Sequence, residues 1–209
     1  MKSYLFDFDG TLVDSMPNFA DTMLRILDES GVKYPSDIIK TITPLGYRGT
    51  AKYFLDMGIG IPEGELIKKM HDYAVLAYLT AIPAKETVPE TLRELKRRGF
   101  SLNVLTASPH LTLDPCLKRL GLFELFDNVW SCEDFNTNKA NPDIYKMAAE
   151  RMGVSVSEVI FLDDNLDADK TAKKAGCTVI GVYDDSSADY VDEMKKITDG
   201  YIYRFSELL

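Results

Sequence analysis

The sequence predicts an α/β fold: a doubly wound parallel sheet carrying an α-helical domain inserted after its first strand. Three observations carry this reading. The short apolar runs are continuous rather than alternating, as strands buried on both faces are. From residue 89 onward these runs alternate with helical stretches that close on glycine, giving strand–helix–strand units. Between residues 15 and 84 the alternation stops, and helical patterns follow one another without a strand.

Taken in order, the first run is Tyr4-Leu5-Phe6. Helical periodicity then covers 18–30, 48–57 and 63–81, punctuated by Pro35, Pro44, Gly58, Gly60, Pro62 and Pro83. The segment 43–49 reads as a loop leading into the second of these helices. The expected division is a helical domain at 15–84 set into a core made of 1–14 and 85–209. The core resumes with a helix at 89–98, with Leu92 and Leu95 on one face and Gly99 as its stop. A strand at 102–105 and a helix at 109–120 closed by Gly121 come next, then a weaker strand at Val129-Trp130. A helix at 142–152 takes Asn141 as its cap, Pro142 in its first position and Gly153 at its end. A strand at 159–162, a helix at 166–175 closed by Gly176, a strand at 178–182 and a weaker strand at 201–203 complete a Rossmann-like core.

Composition narrows the function classes. With 45% hydrophobic and 27% charged residues, the chain has globular proportions. A net charge of −9 argues against nucleic acid and anionic membrane as partners. It leaves open a small phosphorylated metabolite, because one metal ion or lysine reverses the sign of a pocket. Cys116, Cys132 and Cys177 form no C-x-x-C pair and read as reduced, buried thiols of a cytoplasmic protein. Lys2 precedes an apolar stretch broken by Asp7 and Asp9, too short and too acidic for a secretory signal. No run reaches membrane-spanning length. A monomer is expected, since no heptad or exposed-edge pattern calls for assembly.

The chemistry is concentrated at strand ends. Asp7-Phe8-Asp9-Gly10-Thr11 closes the first strand; residues two apart on an extended backbone share a side, so both carboxylates would face one space. Two such carboxylates stay ionised only beside a cation, or else one holds a proton. An EF-hand is excluded, because Gly10 stands fourth and Asn18 twelfth where that loop needs glycine sixth and glutamate twelfth. Asp163-Asp164-Asn165 closes a second strand in the same way. Oxygen-only donors from two strand ends suit Mg²⁺ bridging to a phosphate. Thr106, with Ser108 two residues on, supplies hydroxyls at a third strand end, and Lys139 precedes a helix from which an ammonium can reach an anionic centre. Asp167 and Asp169 fit an acidic helix N-terminus.

Together these stretches resemble the haloacid dehalogenase-like superfamily over nearly the whole chain. The run from Asp7 to Ser15 matches its first motif, Thr106 the second, Lys139 the third and Asp163-Asp164 the fourth. The inserted helices resemble the helical cap of phosphoglycolate phosphatases and β-phosphoglucomutases. The resemblance implies a Mg²⁺-dependent phosphatase acting on a small phosphate monoester. Asp7 would form an aspartyl-phosphate, and Asp9 would serve as acid and then base. Thr106 and Lys139 would hold the phosphoryl oxygens, with Gly10 and Ser108 among the substrate contacts. Mg²⁺ would sit on Asp7, the Asp9 carbonyl and Asp164, with Asp163 as support or additional ligand. Arg48 would bind a second anionic group on the substrate; Phe19, Met23 and Tyr47 are candidates to line the site, although apolar residues at helical spacing more often form the core of the cap.

The chain departs from the family pattern twice. Ala140 replaces the first proline of Lys-Pro-x-Pro. With Asp164 as metal ligand, Ala168 stands where the fourth motif often places a further acid; the other register pairs Asp163 with Asp167. A phosphosugar mutase is the nearest alternative, although that branch carries a histidine where Phe19 aligns. A dehalogenase would leave Asp9 and Asp163-Asp164 without a task. A non-enzymatic phospho-accepting receiver would lack the inserted helices.

Overall fold

The computed structural model describes residues 3–209. The chain forms β1 (Ser3–Phe6), α1 (Pro17–Ser30), α2 (Ile38–Ile42), α3 (Gly46–Asp56), α4 (Glu63–Thr80), α5 (Val88–Arg97), β2 (Ser101–Thr106), α6 (His110–Arg119), β3 (Asn128–Ser131), α7 (Asp143–Met152), β4 (Val159–Asp163), α8 (Leu166–Ala175), β5 (Thr178–Val182), α9 (Val191–Ile197) and β6 (Gly200–Ile202). All strand pairs are parallel, in the order β3-β2-β1-β4-β5-β6. This is the doubly wound arrangement, with its reversal between β1 and β4.

The continuous apolar runs become central strands because both of their faces are covered. On one face Leu5, Leu105, Phe161 and Val179 pack with Ile144, Tyr145 and Ala148 of α7 and Ala172 of α8. On the other, Phe6 stacks on Phe205 at 6.0 Å between ring centroids and meets Phe126 edge-on. Helix α5 buries Val88, Thr91, Leu92 and Leu95, a stripe at three- and four-residue spacing. Glycine in the left-handed region ends α7 at Gly153 and α8 at Gly176.

The chain divides into two compact units, Met1–Asp14 with Pro83–Leu209, and Ser15–Ile82. The second boundary falls two residues earlier than the 84/85 read from the sequence. The reason is pairing: Asp14 N–H donates to Pro83 O and Lys85 N–H to Leu12 O, both at 3.0 Å, tying 83–85 into the α/β unit. The helical cap has a core of its own, built from Met23, Ile26 and Leu27 of α1, Ile38 and Ile42 of α2, Ala51 and Phe54 of α3, and Leu66 and Met70 of α4. Met23 is fully buried there, as part of the cap core that its helical spacing favours over a site-lining place.

Three local expectations shift. The segment 43–49 is not a loop, since Thr43–Leu45 forms a 3₁₀ turn and α3 starts at Gly46. Helix α7 starts one residue late, with Pro142 in the cap position, although Asn141 Oδ1 still accepts the Asp143 N–H at 3.0 Å. Helices α2 and α9 went unread because five and seven residues are too few to display a helical period. Among the described residues, no helix is long and apolar enough to cross a membrane.

Candidate active site

The carboxyl ends of β2, β1 and β4 lie side by side, with Phe6 opposite both Val104 and Leu162. The acidic residues follow at this reversal point, where open α/β sheets bind ligands. Asp7 N–H donates to Leu162 O at 2.9 Å, so Asp7 is the last link of the β1 ladder. The chain then turns tightly, with Leu12 and Val13 N–H both donating to Phe8 O at 2.8 and 3.0 Å. Gly10 adopts φ +73° in this turn, and a Cβ there would lie 2.5 Å from Asp164 Oδ2. Only glycine meets both demands. Past Asp7 the chain bends at Phe8, and Asp9 keeps only an isolated parallel bridge to Val13. What fixes Asp9 is Ser108, whose Oγ donates to Asp9 Oδ2.

Lys139 joins the strand ends. Its Nζ donates to Asp7 Oδ1 at 2.6 Å and to Asp163 Oδ2 at 2.7 Å. The Lys139 main chain is steadied by buried Tyr145, whose hydroxyl lies 3.2 Å from the carbonyls of Lys139 and of Ala168. Ala140, at the family's usual proline, donates its N–H to Asn138 Oδ1 at 3.0 Å, a bond proline lacks. Asp163 Oδ1 accepts the Asn165 N–H at 2.8 Å, while Asn165 caps α8 by accepting from Asp167 and Ala168 N–H. Asp164 Oδ1 accepts from Thr11 Oγ1 at 2.9 Å.

The charge balance is uneven. Asp7, Asp163 and Asp164 are all buried and bring one oxygen each within 4.8 Å of one another. Behind them Asp169 is fully buried, and neither of its carboxylate oxygens has a hydrogen-bond partner. Burial raises Asp7 well above the ordinary carboxylate range; Lys139 opposes that rise, and the neighbouring aspartates add to it. Burial and Asp163 push Asp164 up to about 7. Burial, then Asp163 and Asp164, push Asp169 up to about 9. Lys139 is held charged, because Asp163 and Asp7 outweigh the cost of burying it. Four acids thus share one buried ammonium. An all-oxygen donor set with excess negative charge and an unpartnered carboxylate behind it fits a hard divalent cation.

Asp7, Lys139, Asp163 and Asp164 are brought together, and Asp9 is anchored beside them through Ser108. Thr106 is buried at the end of β2, where its Oγ1 accepts the Ser108 N–H at 3.1 Å. Ser108, expected among the substrate contacts, gives its N–H to Thr106 and its hydroxyl to Asp9. Gly10, expected there too, shapes the turn: its N–H donates to Val13 O at 3.0 Å and its carbonyl accepts from Lys85 at 2.6 Å. Arg48 is exposed in the first turn of α3, in the helical unit. Phe19 and Tyr47 pack 5.8 Å apart within that unit. Asp169 was missed. Its signal was an acid on the buried stripe of α8, in register with Leu166 and Ala172.

A doubly wound α/β enzyme fold with an inserted helical cap and a buried acidic site at its reversal point defines the class. The sequence profile of the haloacid dehalogenase-like hydrolases matches residues 1–176. The chain belongs to that family. It is 31% identical over 183 residues to pyrophosphatase PpaX of Bacillus velezensis, covering 87% of this chain and 83% of that protein. It is 27% identical over 187 residues to a phosphoglycolate phosphatase of Psychrobacter arcticus, covering 85% and 81%. The fold is shared with a HAD family hydrolase of Deinococcus radiodurans solved with bound phosphate and sodium, at a TM-score of 0.81 and 22% identity, over 100% of this chain and 93% of that one.

Proposed function

We propose that the chain is a Mg²⁺-dependent phosphatase that hydrolyses a small phosphorylated metabolite through a phosphorylated Asp7. One observation carries the reading: the buried Asp7 carboxylate is gripped by Lys139 at 2.6 Å and clustered with Asp163 and Asp164 at the reversal point of the sheet. The relative named as a phosphoglycolate phosphatase supports the substrate class.

In the first step an Asp7 carboxylate oxygen attacks phosphorus. The bond from phosphorus to the leaving oxygen breaks, and that oxygen takes its proton from Asp9. In the second step water attacks the phosphorus of the aspartyl-phosphate and gives a proton to Asp9. The bond from phosphorus to Asp7 breaks, releasing inorganic phosphate and restoring both residues. Lys139 holds Asp7 in place and offers its ammonium to the phosphoryl oxygens, with Thr106 as a second hold. Ser108 keeps Asp9 oriented between the two proton transfers. Asp7, Asp164 and the Asp9 carbonyl would hold Mg²⁺, which when bound supplies charge neutralisation for the phosphoryl group. Asp163 serves mainly to orient Lys139. Arg48 contacts a second anionic group where the substrate has one.

The test is phosphate release from a panel of phosphorylated metabolites, with Mg²⁺, with chelator, and with Asp7→Asn. Release that needs both Mg²⁺ and Asp7 is expected. Equal release by Asp7→Asn would remove Asp7 from the chemistry.

A further inference from the structure

We propose that Lys85 is a positioning residue for the turn carrying Asp9, and that Asp184 holds Lys85 to that task. The role in catalysis rests on the phosphatase reading above. No sequence motif pointed to either residue.

The Lys85 ammonium has three protons and three acceptors: Gly10 O at 2.6 Å, Tyr183 O at 2.6 Å and Asp184 Oδ2 at 2.9 Å. Its side chain is 19% exposed and that of Asp184 is 6% exposed, so the pair is largely withdrawn from water. Removing one partner of such a pair leaves a charge uncompensated. Asp184 is itself fixed, because its Oδ1 accepts the Ser186 N–H at 2.9 Å and the Ser186 hydroxyl at 2.6 Å.

An ion pair that served stability alone would need only the carboxylate. Lys85 instead commits two donors to main-chain carbonyls, one in the turn after β1 and one just after β5. Gly10 stands between Asp9 and Thr11, and Thr11 in turn holds Asp164. The turn has little freedom to shift, because Gly10 already lies against the Asp164 carboxylate. The Lys85 N–H adds a further tie, to Leu12 O at 3.0 Å. One residue therefore fixes the turn at both ends, by side chain at Gly10 and by backbone at Leu12. A displacement of the order of 1 Å in such a turn is enough to cost catalysis about a hundredfold.

The cavity beside the pair offers a means of testing it. It measures about 250 Å³ and is lined by Lys85, Asp184, Tyr183, Tyr203 and Arg204 among others, so a small amine can enter it. The experiment compares the full chain with Lys85→Met by amide hydrogen exchange and by hydrolysis of p-nitrophenyl phosphate. Expected are exchange over residues 9–13 faster by about tenfold or more, a kcat lower by about tenfold or more, and a KM within about threefold. Added methylammonium should recover part of kcat in the variant and none in the wild type. A folded Lys85→Met with wild-type exchange and kcat overturns the proposal, as does a kcat loss that only follows the folded fraction and ignores the amine. If Lys85→Met does not fold, Asp184→Asn is measured instead. Faster exchange in the same segment supports the role, and wild-type exchange and kcat overturn it. If the wild type releases no phosphate, the phosphatase reading fails, while the exchange result still decides whether Lys85 fixes the turn.

Discussion

Lys139 touches both Asp7 and Asp163, with its side chain 15% exposed. Replacing it by methionine strands two buried carboxylates. Loss of one partner from a buried pair costs about 3–5 kcal/mol, so Lys139→Met should lower the denaturation midpoint sharply in metal-free protein and less so with Mg²⁺. A midpoint unchanged in chelator would contradict the ion-pair geometry. Asp9 differs, because the task proposed for it is proton transfer and not charge balance. Asp9→Asn should lower kcat by about 10²–10⁴-fold with the fold intact, read by steady-state kinetics beside circular dichroism. Arg48 is exposed and remote in sequence from every motif. Arg48→Ala should raise KM by about tenfold for substrates with a second anionic group and leave kcat unaltered. Equal KM across all substrates would discard that contact.

At the scale of elements, the turn after β1 is the most constrained piece of the site. Gly10→Ala adds a Cβ 2.5 Å from Asp164 Oδ2 at a φ of +73°, where a side chain is strained in any case. A cost of about 1–3 kcal/mol is expected, together with loss of activity, measured by calorimetry and phosphate release. Such a turn is legible in sequence because glycine after Asp-x-Asp has few other reasons to exist. The strands were legible too, because burial on both faces leaves continuous apolar runs. Asp169 was not, because an acidic helix N-terminus already accounted for it; only its register with Leu166 and Ala172 separates a buried acid from a dipole-favoured one. Lys85 and Asp184 were invisible for another reason. They meet from positions 99 residues apart, and their partners include main-chain carbonyls that leave no mark in a sequence. Ser108 was legible as a hydroxyl at a strand end, but its bond to Asp9 joins positions 99 residues apart and is seen only in the fold.

For the whole molecule, the buried acids set how stability responds to pH. Asp164 is raised to about 7 and Asp169 to about 9, against an ordinary value near 4. Between the unfolded and folded values the native state holds protons that the unfolded chain has released, so stability falls as pH rises. Metal-free protein should therefore melt progressively lower from about pH 5 to pH 9, and Asp169→Asn should flatten the upper part of that fall. Mg²⁺ should raise the melting temperature most at the alkaline end, where the carboxylates are ionised. A metal-free stability that climbs over this range would refute the charge balance described for the site. The proposed chemistry turns on an Asp7 carboxylate oxygen as the atom that takes the phosphoryl group. The most direct measurement is acid quenching of a single turnover with ³²P-labelled substrate, followed by peptide mapping. Label on the peptide containing Asp7, absent from Asp7→Asn, is the predicted result. Turnover at the wild-type rate by Asp7→Asn, or label carried on a different residue, would contradict it.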